Sequence, residues 1–118
     1  MFRDRMIGNT RVIEINTKDL DSGVATAFKE HLVSAFQAAG DSIVILDFAK
    51  VRFMDSSCLG ALLAAFRQTG SAAKVVLSAA HDSVAQVFEI ARLEKVMRVA
   101  ESLDQGLDFG PEKWPANA

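Results

Sequence analysis

Apolar and polar positions change period several times along the chain, and each change marks an element. Residues 2–7 and 10–16 read as two short strands, the second partly alternating through Arg11-Val12-Ile13-Glu14-Ile15-Asn16. Gly8-Asn9 between them predicts a two-residue hairpin turn, because both residues accept positive φ. The polar run Asp19-Leu20-Asp21-Ser22 predicts a loop able to cap a helix. Val24, Phe28, Leu32, Ala35, Phe36 and Ala39 then step by three and four, which is one apolar face of a helix. Gly40 stands at its C′ position.

Ile43-Val44-Ile45-Leu46 is apolar at every position, as a strand covered on both faces must be. Leu59, Leu62, Leu63 and Phe66 predict a second helix with Gly70 as its stop. Lys74 to Ser78 is another strand. Ser83-Val84-Ala85-Gln86 has the form of a capping box, followed by the stripe Val84, Val87, Phe88 and Ala91. Val96-Met97-Arg98-Val99 closes the strand series, and 101–109 is a short helix ended by Gly110-Pro111. The order β-β-α-β-α-β-α-β-α is that of an α/β domain over 1–110, with 111–118 as a C-terminal tail. About four helices cover a mixed, mostly parallel sheet of about four to five strands.

Composition narrows the class. A chain of 118 residues suits one core, and 24% charged residues suit a soluble globular protein. No stretch reaches the roughly 20 apolar residues of a membrane span, and Met1-Phe2-Arg3-Asp4-Arg5 lacks the apolar core of a signal peptide. Membrane insertion is not expected. A net charge of −2 without a basic tract gives nucleic acid no electrostatic footprint. One cysteine, Cys58, allows no intrachain disulfide and fits a cytoplasmic setting. A monomer is the default.

Chemistry concentrates at Phe53-Met54-Asp55-Ser56-Ser57-Cys58-Leu59-Gly60, where an apolar strand hands over to a helix. Free N–H groups and the positive helix end favour an anion there, including a phosphate carried on serine. Asp55 or Ser56 acting as a plain N-cap explains the same residues. Asp21 and Asp55 both follow strands and precede helices, so topology places them on one rim. A nucleophile at Ser56 or Cys58 would need a base. His31 reads as a rim or surface residue and His81 as a solvated loop residue, neither with a signature linking it to the motif. A small hydrolase is the weaker alternative. No ligand spacing for zinc or calcium is present, nor a phosphate-cradling glycine loop, so no cofactor is implied. Trp114 is a packing or tail residue.

The run Val44-Ile45-Leu46-Asp47, then Val51-Arg52-Phe53-Met54-Asp55-Ser56-Ser57-Cys58-Leu59-Gly60, resembles the STAS domain of bacterial anti-sigma factor antagonists. Those domains show an apolar strand, a short loop, then Asp-Ser-Ser-Gly-Leu-Gly opening a helix. Asp19-Leu20-Asp21 is similar to the Glu-Leu-Asp loop before the family's first helix, and Glu101-Ser102-Leu103-Asp104 to the opening of its last. The resemblance spans roughly 2–109. Cys58 stands where the family usually has glycine, and Lys18 where a glycine commonly precedes the acidic residue.

The resemblance implies the STAS fold and a partner switch rather than an enzyme. The antagonist binds an anti-sigma factor that is also a serine kinase, is phosphorylated on Ser56, and dissociates. A serine/threonine phosphatase of the metal-dependent class resets it. Asp21, Met54, Asp55, Ser57, Cys58 and Leu59 would lie in or beside the interface. The alternative within the same resemblance is a STAS subunit of an ABC transport system, docking on its ATPase without phosphorylation.

Overall fold

A strand with no polar position needs cover on both faces, and Ile43–Asp47 receives it. In the computed structural model, which describes residues 1–110 and Trp114, this strand is the middle of five. The elements run β1 (Phe2–Ile7), β2 (Thr10–Ile15), β3 (Asp19–Leu20), α1 (Ala25–Ala39), β4 (Ile43–Asp47), β5 (Phe53–Met54), α2 (Ser56–Gln68), β6 (Lys74–Ser78), α3 (Asp82–Ile90), a 3₁₀ turn (Leu93–Lys95), β7 (Arg98–Ala100) and α4 (Leu103–Leu107). The main sheet has the order β1-β2-β4-β6-β7. β1 is antiparallel to β2, and the other neighbours are parallel. The mostly parallel sheet and four helices are those the sequence pattern predicts. The tail expected at 111–118 lies outside the described residues, apart from Trp114.

Two clusters sandwich the sheet. Val44, Leu46, Val75, Leu77, Ile13 and Ile15 face the larger one, shared with Phe28, Leu32 and Phe36 of α1, Leu62 and Phe66 of α2, and Phe88 of α3. Val12, Ile45, Val76 and Ala100 face the smaller one, closed by Leu103, Leu107, Phe109 and Trp114. α4 sits close on this face because Gly106 has no side chain. A Cβ there would lie 3.2 Å from Val76 and 3.4 Å from Ile45.

Several local expectations are corrected. In the hairpin only Gly8 takes positive φ (60°), which is the type II′ pattern with glycine first. α1 starts after Val24 with no side-chain cap. Asp21 instead accepts from the Gly23 amide at 2.9 Å, within the loop. α2 turns Cys58, Ala61, Leu62, Ala65 and Phe66 inward, leaving Leu59 and Leu63 half-buried at the margin. The inward residues at 58, 61 and 65 are small, and α2 lies against α1. Gly70 does close α2 in a Schellman motif, with Ser71 N donating to Phe66 O and Gly70 N to Arg67 O.

Ser83 does not open a capping box. Its hydroxyl donates to the Arg52 carbonyl at 2.9 Å, and α3 starts after His81 without a side-chain cap. The capping pair lies at α4 instead. Ser102 accepts from Gln105 N, and the Gln105 side chain accepts from Glu101 N. The last strand begins at Arg98, two residues later than predicted. α3 ends without a glycine: Arg92 takes the left-handed conformation (φ 55°) and a 3₁₀ turn follows, so residues through Val96 are spent on the turn.

Candidate functional site

The motif at 53–60 is held by a second, two-stranded sheet that two-residue strands cannot announce in sequence. β3 and β5 pair in parallel, Asp19 with Phe53 and Leu20 with Met54. The Lys18 carbonyl accepts from Arg52 N at 2.8 Å and Phe53 N at 3.0 Å, and the Leu20 carbonyl accepts from Asp55 N at 3.1 Å. Backbone bonds therefore bring the acidic loop and the start of α2 to one rim before any side chain contributes.

Asp55 is the N-cap. Its backbone is extended, and its Oδ1 accepts from Ser57 N at 2.9 Å and Cys58 N at 3.3 Å. Ser56 becomes the first helical residue, N1, with its side chain exposed and without a hydrogen bond among the described residues. Ser57 is exposed beside it. Replacing a carboxylate cap by alanine typically costs about 1 kcal/mol, and serine retains most of the effect. Asp55→Ala should therefore destabilise the protein by about 1 kcal/mol in urea unfolding, with Asp55→Ser near wild type. Equal losses for both substitutions would show that the cap contributes nothing.

Cys58 links the two halves of the rim. Its thiol donates to the Asp21 carbonyl at 3.3 Å, and its amide bonds to Asp55. The side chain has no exposed surface, and Met54 is 5% exposed. Both lie beneath the rim and shape it from below. Asp21, Asp55 and Leu59 are half-buried at its surface, with Ser56 and Ser57. The sequence-predicted residues thus converge, in two layers.

A helix N-terminus ordinarily lowers a thiol pKa, and here the opposite holds. Burial, then the negative charges of Asp55 and Asp21, push the Cys58 thiol from 9.0 up to about 11. The neutral thiol favours the folded state below the unfolded value, and that contribution is lost as pH rises from about 9 through about 11. Iodoacetamide at pH 8 should therefore alkylate native Cys58 far more slowly than the urea-unfolded chain. Native labelling at the unfolded rate would overturn this placement.

The histidines are engaged elsewhere. His31 Nε2 meets Asp4 Oδ1 at 2.6 Å, with Arg11 Nη1 on the other oxygen at 3.1 Å. His81 Nε2 donates to the Ala49 carbonyl at 2.7 Å, so it braces the β4–β5 loop rather than standing free in solvent. Neither hydrogen-bonds a motif hydroxyl. No metal-binding cluster occurs among the described residues, and no described helix is long and apolar enough to cross a membrane. One rim residue escaped sequence reasoning. Phe53, on the short β5, is 49% exposed immediately before the buried Met54. An isolated aromatic in a two-residue strand carries no periodicity that would signal its exposure.

Residues 3–106 match the STAS domain. Among solved structures, the chain is similar to an anti-sigma-factor antagonist (STAS) domain protein from Planctomyces limnophilus at 16% identity, over 90% of this chain and 93% of that one, with a TM-score of 0.79. It is similar to the Bacillus cell fate determinant SpoIIAA in its phosphorylated form at 26% identity, over 92% and 97%, with a TM-score of 0.66. A sulfate transporter family protein from Wolinella succinogenes shares the fold at 18% identity, over 87% and 86%, with a TM-score of 0.65.

Proposed function

The chain belongs to the STAS domain family, and from that premise we propose that it is a phosphorylation-controlled antagonist of an anti-sigma factor. It acts in the cytoplasm as a monomer, without catalysis of its own. The partner is an anti-sigma factor that is also a serine kinase, and Ser56 is the phosphate acceptor. Asp21, Asp55, Ser57 and Leu59 form the contact surface, and Met54 and Cys58 support it from beneath. A serine/threonine phosphatase of the metal-dependent class restores the binding form.

The observation that carries this proposal is the position of Ser56. It is the exposed N1 residue of a helix whose cap, Asp55, already engages the next two amides. The hydroxyl is thus accessible and uncommitted, and the fold does not depend on it. Ser57 is also exposed, but its amide is tied to the Asp55 carboxylate.

Incubation with ATP and the serine-kinase anti-sigma factor of the same organism, followed by mass spectrometry, tests the assignment. Phosphate should map to Ser56, and Ser56→Ala should abolish labelling while keeping kinase binding. Label lost only in Ser57→Ala would move the acceptor by one residue. No label with such a kinase, together with tight binding to a transporter ATPase, would favour the transport subunit instead. The fold shared with a sulfate transporter family protein keeps that alternative in the experiment.

A further inference from the structure

Just upstream of the Ser56 turn, the same rim carries a cleft of about 370 Å³. Asn16, Thr17 and Lys18 of the β2–β3 loop form one wall, and Ala49, Lys50 and Arg52 of the β4–β5 loop form the other. Its walls are fixed. Arg52 N and Phe53 N bond to the Lys18 carbonyl, and Lys50 Nζ donates to Asn16 Oδ1 at 3.1 Å. His81 and Ser83 hold the carbonyls of Ala49 and Arg52 from behind.

Three of these six side chains are cationic, in a chain of net charge −2. All three are exposed, and among the described residues none makes an ion pair. Asp19 adjoins Lys18 in the chain but lies outside the cleft lining. Glu14 and Asp47 line an adjoining recess with Lys50, but Glu14 pairs with Arg5 at 3.7 Å and Asp47 accepts from Ala49 N at 3.0 Å. The cleft lining thus holds three cationic side chains and no acidic one, and the exposed Phe53 follows Arg52 in the chain.

The topology argues against a small nucleotide as the occupant. In parallel α/β sheets small ligands enter the crevice where strand order reverses. Here the order β2-β4-β6-β7 never reverses, and α1, α2 and α3 all lie in one core cluster on one face. The cleft is a trough between two loops, open to a passing chain. Arginine presents a planar fork to a carboxylate, and lysine adds a mobile point charge. We propose that this trough docks an acidic segment of a protein partner, with Asp or Glu side chains on Arg52 and Lys18. The proposal does not depend on modification of Ser56.

A hexaglutamate peptide titrated into the ¹⁵N-labelled full-length protein at low salt tests it. Saturable shifts should concentrate at Lys18, Lys50, Arg52 and Phe53. The double variant K18E/R52E should weaken binding at least about tenfold. K29E/K95E makes the same change in net charge outside the cleft lining and should weaken binding several-fold less than K18E/R52E does. The spectra themselves report that each variant is folded. Equal weakening in both doubles, or shifts scattered over all lysines, would reduce the cleft to a general charge effect and overturn the proposal. Inorganic phosphate producing the same localised shifts at equal concentration would also overturn it, in favour of a free-anion site.

Discussion

Phosphorylated on Ser56, the protein should bind its anti-sigma factor at least about a hundredfold more weakly while its folding stability changes by no more than about 1 kcal/mol. The phosphate adds about −1.5 to −2 charges, taking the net charge from −2 to about −4. Within the folded chain two effects oppose each other. The helix N-terminus attracts the phosphate by about 0.3–1 kcal/mol. Against this, Asp55 is a like charge one residue away and already holds the Ser57 and Cys58 amides. Of the first three helical amides only that of Ser56 remains free for the phosphate. The sum is small in either direction, so the fold survives.

An interface has no such compensation. A partner complementary to a neutral hydroxyl beside Asp21 and Asp55 meets a concentrated negative charge that must also be desolvated. Like-charge juxtaposition costs several kcal/mol. A loss of about 2.8 kcal/mol is already a hundredfold in affinity. Calorimetry on the purified phosphoprotein, with a thermal melt on the same sample, separates the two effects. A melt lowered as steeply as the affinity would mean that the phosphate unfolds the rim rather than repelling the partner.

The parts of this rim differ in how far the sequence discloses them. Ile43–Leu46 is legible because burial on both faces excludes every polar residue from it. Gly70 is legible because few residues adopt the backbone that ends α2. Asp55 is legible as a cap, and so is its place near Asp21, because both follow strands on the carboxyl side of the sheet. The β3–β5 pair is not, since two residues have no period. Nor is the inward face of α2. Bulky residues at 59, 62, 63 and 66 suggest one stripe, while close packing beside α1 selects the small side chains at 58, 61 and 65. Cys58, which the resemblance puts in or beside the interface, is a buried tie to Asp21. Ser83 and His81 follow the same pattern. Their local sequence suggests a cap and a free loop, but their partners, Arg52 and Ala49, are about 30 residues away in the chain. Long-range polar contacts of this kind leave no local trace.

Truncating Phe48, which follows β4 directly, should cost about 3–5 kcal/mol, against a total of about 5–15 for a domain of this size. Its ring is fully buried and meets Phe88 of α3 edge-on, with centroids 5.1 Å apart and an interplanar angle of 70°. Such a pair adds about 0.5–1.5 kcal/mol beyond area burial. Phe48→Ala removes that contact and opens a void between β4 and α3. The backbone path of the loop would persist, because Phe48 N donates to Ser78 O and Val51 N to Phe48 O. It would, however, lose the packing beneath it. With a urea m-value of about 2 kcal/mol/M, a 4 kcal/mol loss lowers the midpoint by about 2 M. Phe53→Ala is the matched control five positions on, at a ring that is 49% exposed. It should cost less than about 1 kcal/mol of stability, since little apolar area leaves water there on folding. Its effect should appear in partner affinity instead. If the two substitutions destabilise equally, or Phe48→Ala costs under about 1 kcal/mol, the packing beneath the Ser56 rim is not what holds it in place.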